Sequence, residues 1–367
     1  MKIALLLTPI TMLVTVLCCG CTGESATAEP QQWSFEPNKV WEIHQIAGED
    51  LLRPAEPRIA DDGTLYFHDF ERHLSYIVDG DGELVNTFAP RGDGEGAVPM
   101  YLNCFPAGDQ AVICGMSNLY FFTNRGEFVS SIPNNPFLRF PLAFKGAYTC
   151  WMAPGALGDS PESLAVVTRI DWTTNEETTT HEFTRTEVES KPTGGAVVVG
   201  LTPQIKMGYD RKSDRVYFGK NSDTVVYWSD CASGKTGTFS FTGIPHPVSE
   251  TDKRNHFARF DIPEEAIAAL IGMLPDQMAY YNRIQAVNGL VYLFGTESIG
   301  HALTGQDIDI YAPDGRHLYH GRIDLEPGWH ITGPDNLQLA DGFMYVIQQN
   351  DAGQKKVAKY SIAIPRS

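Results

Sequence analysis

The sequence predicts an all-β fold, a six-bladed β-propeller. Three observations predict it: five copies of a four-strand unit, two strand fragments at the chain ends that complement one another, and hairpin turns recurring at one place in the unit. The unit is a short strand, a tight turn, two apolar strands rich in aromatic and β-branched residues, a Gly-containing turn and a last strand. Residues 56–88 carry it most clearly, as EPRIA, the turn DDG, TLYFHD, LSYIVD, the turn GDG and ELVNTF. Residues 102–132 repeat it as LNCFP, QAVICG, NLYFFT, NRG and EFVSSI. A third copy spans about 140–185, a fourth 205–241 (IKMGYD, RVYFGK, TVVYWSD, TGTFSF) and a fifth 282–323 (NRIQAV, LVYLFGTE, DIDIYAP, HLYHGRI).

The sixth copy, residues 335–364, has DNLQLAD, FMYVIQQN and KVAKYSIAI and lacks an outer strand. A strand without a blade lies at the other end, residues 39–46 around VWEIHQI. Pairing the two leftovers closes the ring and removes an open sheet edge. The turns Asp79-Gly80-Asp81-Gly82, Asn124-Arg125-Gly126 and Asp314-Gly315 all fall between third and fourth strands, where Gly, Asn and Asp supply the positive φ of tight hairpins. Alternation such as Asp307-Ile308-Asp309-Ile310-Tyr311 fits strands packed on both faces. One stretch departs from the pattern. In residues 261–274, DIPEEAIAALIGML, Asp261 is placed to cap a helix, with Pro263, Glu264 and Glu265 in its first turn. This predicts a short amphipathic helix in an insertion at about 243–281, between the fourth and fifth blades, covering one mouth of the propeller.

The chain opens with Lys2, an apolar run from Ile3 to Leu17 and small residues, the layout of an export signal and shorter than a membrane-spanning helix needs. Leu17-Cys18-Cys19-Gly20-Cys21 resembles a bacterial lipobox, although its Leu stands one place early. The resemblance implies removal of residues 1–20 and a lipid on Cys21; an ordinary cut near Ala26 or Ala28 is the rival. Residues 21–32 are small and polar and read as a flexible tether to a propeller over 33–367. The expected location is therefore the cell envelope, anchored to a membrane through lipid, with the outer membrane favoured because Thr22 rather than Asp follows the lipid site.

The net charge is −17, and removing residues 1–20 takes away only Lys2, making it −18. Such a surface repels phosphate backbones, so nucleic acid is not an expected partner. Of the seven cysteines, Cys104, Cys114, Cys150 and Cys231 lie beyond the lipid site, in a compartment that permits disulfides. Cys104 and Cys114 flank a hairpin turn at Gly108 and Asp109, so a bridge between them is expected; Cys150 and Cys231 have no evident mates.

The run Tyr76-Ile77-Val78-Asp79 to Phe88, followed by Arg91-Gly92-Asp93-Gly94-Glu95-Gly96, resembles six-bladed propeller lipoproteins of Bacteroidetes and related bacteria, within the NHL and TolB-like group. The resemblance covers about residues 35–365. It implies the fold more than an activity, and Glu95 departs from the Pro usual in that loop.

Motifs for chemistry are few. The Arg91–Gly96 loop runs on toward strand, without the following helix that a phosphate cradle needs, and reads as a turn between blades. Asp79, Asp81 and Glu83 resemble the start of a calcium loop, but the apolar strand after them favours a plain hairpin. His317 and His320, three apart on a strand, are expected on opposite faces. No Gly-x-Ser-x-Gly elbow and no zinc-finger spacing is present. On propeller geometry, Arg58, Asp69, Tyr209, Asp210, Arg283 and Gln338 are the candidate channel or ligand-binding residues. Trp151, Trp172 and Trp329 are candidate stacking faces for sugars. No catalytic residue, metal ligand or cofactor is singled out. The leading expectation is a binding or scaffolding protein for a peptide, glycan or envelope protein; the alternative is a metal-dependent lyase or lactonase in the central channel.

Overall fold

The computed structural model describes residues 29–134, 139–146, 148–154, 165–183, 204–243, 245–258, 263–272, 274, 276–296 and 303–363. Six antiparallel sheets follow one another as a six-bladed propeller. The first strands of the blades are Pro54–Ile59, Tyr101–Ala107, Arg139–Gly146, Ile205–Asp210, Tyr281–Val287 and Leu337–Ala340. They neighbour one another in a ring around the axis. Because each blade runs antiparallel, first strands begin on the same face as the loops between blades and the turns joining second to third strands. That face is called the top here.

Alternating side chains decide how the blades cohere. In the second strand of blade 1, Tyr66 packs toward blade 2 while its neighbour Phe67 packs toward blade 6. In blade 4, Tyr217 faces blade 5 and Phe218 faces blade 3. Each of the six seams thus has its own apolar core, built from the facing sides of two blades. Strands buried on both faces are favoured by the aromatic and β-branched residues that recur in the unit. The third-to-fourth turns add a second device. Gly82, Gly126 and Gly315 have positive φ and sit against Trp41, Phe88 and Phe239 of the preceding blade. A Cβ on Gly126 would lie 2.8 Å from Phe88 Cβ, so the seam requires glycine there.

The N-terminal strand Asn38–Ile43 pairs with the last strand, Lys355–Ser361, and supplies the outer strand that the sixth copy lacks. Trp41, from that strand, donates to Gly80 O at 3.0 Å in the blade 1 turn. Lys356, 1 % exposed, joins Glu42 at 3.1 Å and Glu326 at 2.7 Å across the same blade. Burial alone would raise the Glu42 carboxyl, but hydrogen bonds from Lys39 and Lys356 bring it down to about 2.

Three expectations need correction. The strand Gln31–Ser34 lies parallel on His317–Asp324 of blade 5, so Gln31 and Gln32 are sheet residues rather than tether. An outer strand leaves backbone groups unpaired, and Trp33 and Phe35 help hold the addition against Tyr319 and the blade 5–6 core. Residues 1–28, including Cys21, lie outside the described residues. The insertion holds two helices, Glu250–Ala258 and Glu264–Ile271, not one; Val248, Phe257, Ile267, Leu274 and Met278 give it a core of its own. The proposed cap, Asp261, lies outside the described residues. Finally, Cys104 stands opposite Ile113 and Cys114 opposite Asn103. That one-step offset turns Cys104 into the blade 1–2 core and Cys114 into the blade 2–3 core. All four cysteines are free thiols. Burial pushes Cys104, Cys114 and Cys150 up to about 12, which keeps them as unreactive thiols.

Candidate functional site

The axis collects charge from four blades. Arg58 reaches from blade 1 to blade 2, donating to Cys104 O at 3.3 Å and Asn103 Oδ1 at 3.1 Å. Arg283 reaches from blade 5 to Leu337 O of blade 6 and donates to Gln285 Oε1 at 2.7 Å, with Phe294 beneath its guanidinium. Burial brings Arg283 down to about 10, with Asp335 pulling it up and Arg58 pushing it down across the axis. Gln338 accepts from Ile59 N at 3.1 Å, and Gln285 bonds both the N–H and the C=O of Leu339. Side-chain amides and guanidiniums here complete hydrogen bonds between first strands that are too splayed to pair directly.

Two further groups join them. Lys206 of blade 4 donates to Gln204 Oε1 at 2.7 Å; burial lowers its pKa, with Asp335 opposing and Arg283 adding to the fall. Glu56 sits at a bulge, where the register jumps between Ala55 and Arg58, with φ of 58°. Positive φ at a residue other than glycine stores about 1–3 kcal/mol. Its N–H is held by Asn336 Oδ1 at 2.8 Å, and its carboxylate lies 3.5 Å from the Tyr101 hydroxyl. Burial pushes the Glu56 carboxyl up to about 7, against the pull of Arg58.

Tyr101 links this cluster to a pocket of about 130 Å³ on the top face, at the seam of blades 1 and 2. His68, Phe70, His73, Ala89, Arg91, Val98, Pro99, Met100 and Tyr101 line it. The His68 ring stacks on Tyr101 at 3.8 Å with an interplanar angle of 4°, and Phe70 stands edge-on to both. Burial brings His68 down to about 4, so the ring is neutral at neutral pH. Arg91 Nη1 lies 3.1 Å from His73 Nε2 at the rim.

Of the residues singled out in the sequence, Arg58, Arg283 and Gln338 come together at the axis and three do not. Asp69, fully buried, accepts from the N–H groups of Leu52, Arg53, Glu71 and Arg72 at 2.9–3.2 Å and ties the segment entering the first strand to the turn after the second. On the opposite face Asp210 accepts from Lys212 N–H and the Ser213 hydroxyl in its own turn and from Gly289 N–H in the turn of blade 5. Tyr209 packs on Trp151 at 5.1 Å and donates to Asp214 at 2.7 Å, within the blade 3–4 seam. Trp151 is 1 % exposed and offers no face to a sugar; Trp172 packs against the blade 2–3 core, and Trp329 lies under the Lys356 ammonium at 4.0 Å. Asp79 accepts from Asp81 N and Glu83 N, which folds its own hairpin.

His317 and His320 are corrected too. Both approach Asp309 Oδ1, at 3.0 and 2.8 Å. A bulge pairs Ile310 with Tyr319 and Tyr311 with His317, so Leu318 is an extra residue that restores the two rings to one face. Their hydrogen bonds outweigh burial and hold the Asp309 carboxyl below its usual range. No group of three His, Cys, Asp or Glu residues among the described residues is placed to share one metal ion.

Glu56, Lys206, Tyr101 and the seam pocket were missed in the sequence. Lys206 had a signal: a basic residue occupies the first half of the inner strand in IKMGYD as in NRIQAV, and lies near the end in EPRI. Glu56 and the pocket had none, since a bulge and a seam are products of packing.

No protein-family model matches this sequence, and no curated protein does. The fold resembles a solved member of the DUF4221 family from Bacteroides vulgatus, at a TM-score of 0.59 and 12 % identity, over 92 % of this chain and 100 % of that one. It also resembles a protein of Bacteroides fragilis named for its inferred export, at a TM-score of 0.53 and 12 % identity, over 90 % of this chain and 95 % of that one. Likeness at this identity shows the propeller fold.

Proposed function

We propose that the chain is an extracytoplasmic binding or scaffolding protein, carried on a lipid at Cys21, whose propeller recognises a peptide, glycan or partner protein on its top face. The observation that carries this reading is the division of labour there. Arg58, Arg283, Gln285 and Gln338 are occupied holding first strands together, whereas the adjoining pocket is lined by His68, Phe70 and Tyr101 with an exposed arginine beside them. A rigid frame beside a preformed concave pocket suits binding. The likeness to a Bacteroides protein named for its inferred export supports an envelope location. A metal-dependent lyase or lactonase in the channel would draw on several neutral His or ionised carboxylate ligands; the described axial side chains are mainly cations and amides, with Glu56 held toward neutrality.

The test is a thermal-shift screen of the full chain in detergent against glycans, peptides, lactones and divalent metals, with and without chelator. A ligand that binds only the folded state at a hundredfold excess over Kd adds about 2.7 kcal/mol. A shift with a glycan or peptide supports the proposal. A metal shift abolished by chelator, together with lactone turnover, transfers the site to the channel enzyme.

A further inference from the structure

We propose that the pocket at the seam of blades 1 and 2 receives a ring-sized apolar group bearing a carboxylate, as the C-terminal apolar residue of a peptide does, with the carboxylate on Arg91. The proposal rests on the binding reading above and names its site and ligand class.

Size comes first. A volume of about 130 Å³ is close to the ~150 Å³ of an engineered apolar cavity that holds benzene. The lining agrees with an apolar occupant. His68 turns its Nδ1 toward Ser75 Oγ at 3.0 Å, and Tyr101 turns its hydroxyl toward Glu56. The Tyr101 hydroxyl and one of the two His68 ring nitrogens are therefore engaged away from the pocket. Val98 and Ala89, each 2 % exposed, form packed wall, while Met100 at the rim is 51 % exposed and can adapt to a ligand.

Charge supplies the second half. Arg91 is exposed, and its guanidinium approaches His73 rather than an acid. Asp93 and Glu95 belong to the same loop, yet no carboxylate of the described residues forms an ion pair with Arg91. In a chain of net charge −17, an arginine beside an apolar pocket, with no acid paired to it among the described residues, is open to an anionic ligand. Guanidinium offers a planar fork that matches carboxylate with two parallel hydrogen bonds. An apolar floor and a carboxylate clamp at its rim fit a ligand with both features in one residue.

Isothermal titration of the full chain in detergent with acetyl-Ala-Ala-Phe as the free acid, the same peptide as its C-terminal amide, and phenylacetate tests this. The free acid is expected to bind at least about tenfold more tightly than the amide. Arg91→Gln should bring the acid down to the level of the amide with an unchanged melting temperature, and Arg91→Lys should recover part of the difference. Phenylacetate binding as tightly as the peptide would support the same site with a free aryl acid as its source. Equal binding of acid and amide, or indifference to Arg91→Gln, overturns the proposal. If none of the three probes binds while another ligand shifts melting in the screen, this inference fails and the binding reading stands; if nothing shifts melting there either, this inference fails together with the peptide and glycan readings, leaving only the scaffold for a partner protein.

Discussion

The axis and the seam pocket use the same residue type in opposite ways. At the axis, Arg283 and Arg58 are half-buried and directed at carbonyl and amide oxygens of the next blade. At the pocket, a few residues away across Tyr101, Arg91 is exposed and its side chain ties no blade to another. First strands converge and splay, leaving backbone groups that long side chains must satisfy, so charge near the axis is as much a structural requirement as a chemical opportunity. Loops between blades face no such demand, and a cation there is available to a ligand.

Substitutions can break that contrast, starting with the largest effect. Arg283→Ala leaves Leu337 O without its donor and removes a guanidinium packed on Phe294. It should cost about 3 kcal/mol in urea unfolding, since orphaned buried acceptors carry about 1–3 kcal/mol each and packing is lost besides. A cost below about 1 kcal/mol would mean the axial arginine is not a strut. Asp69→Ala strips four N–H groups of their acceptor, two in the segment entering the first strand of blade 1 and two in the turn after its second strand. About 2 kcal/mol is expected, on the scale of a lost cap or buried hydrogen bond, and protease cutting near Arg72 should accelerate.

Glu56→Gln should act through pH. The folded carboxyl is raised to about 7 from an ordinary 4.5, so the fold holds more protons than the unfolded chain between those values. Stability from this group is full below about 4.5, falls as pH rises and is lost above about 7. The amide mimics the protonated form; melting should therefore rise relative to wild type at pH 8 and match it near pH 4.5. A constant difference at both pH values would show that Glu56 is ionised throughout. The smallest stability effect belongs to Arg91→Gln, within about 0.5 kcal/mol as for other exposed sites, even though its effect on ligand binding is expected to be the largest of the four. A cost comparable to that of Arg283→Ala would erase the contrast.

The sequence carried the propeller because its signals are local and repeated. Period-2 alternation, aromatic strands and Gly-Asp turns recur at fixed places, and the two leftover strands could be matched by counting. The turn glycines also announced themselves, though only packing shows why: each seats against an aromatic residue of the preceding blade. Half of the site was visible in the same way. Arg58, Arg283 and Gln338 occupy inner strands, and inner strands can be placed from the repeat. Asp69 and Asp210 looked alike in sequence and proved to be turn ties, because an aspartate ending a strand serves the nearest free N–H groups first.

Register and the seams between blades account for the remainder. A single-residue offset separated Cys104 from Cys114, and a single extra residue brought His317 and His320 together. With a side-chain period of two, one residue inverts a face, and no composition reports it. The strained Glu56 and the pocket built by His68, Phe70, Arg91 and Tyr101 arise where two blades meet. The amino-acid sequence set the number of blades and the character of their faces. The site came from how those faces abut, because the distance between two blades is fixed by the packing of both.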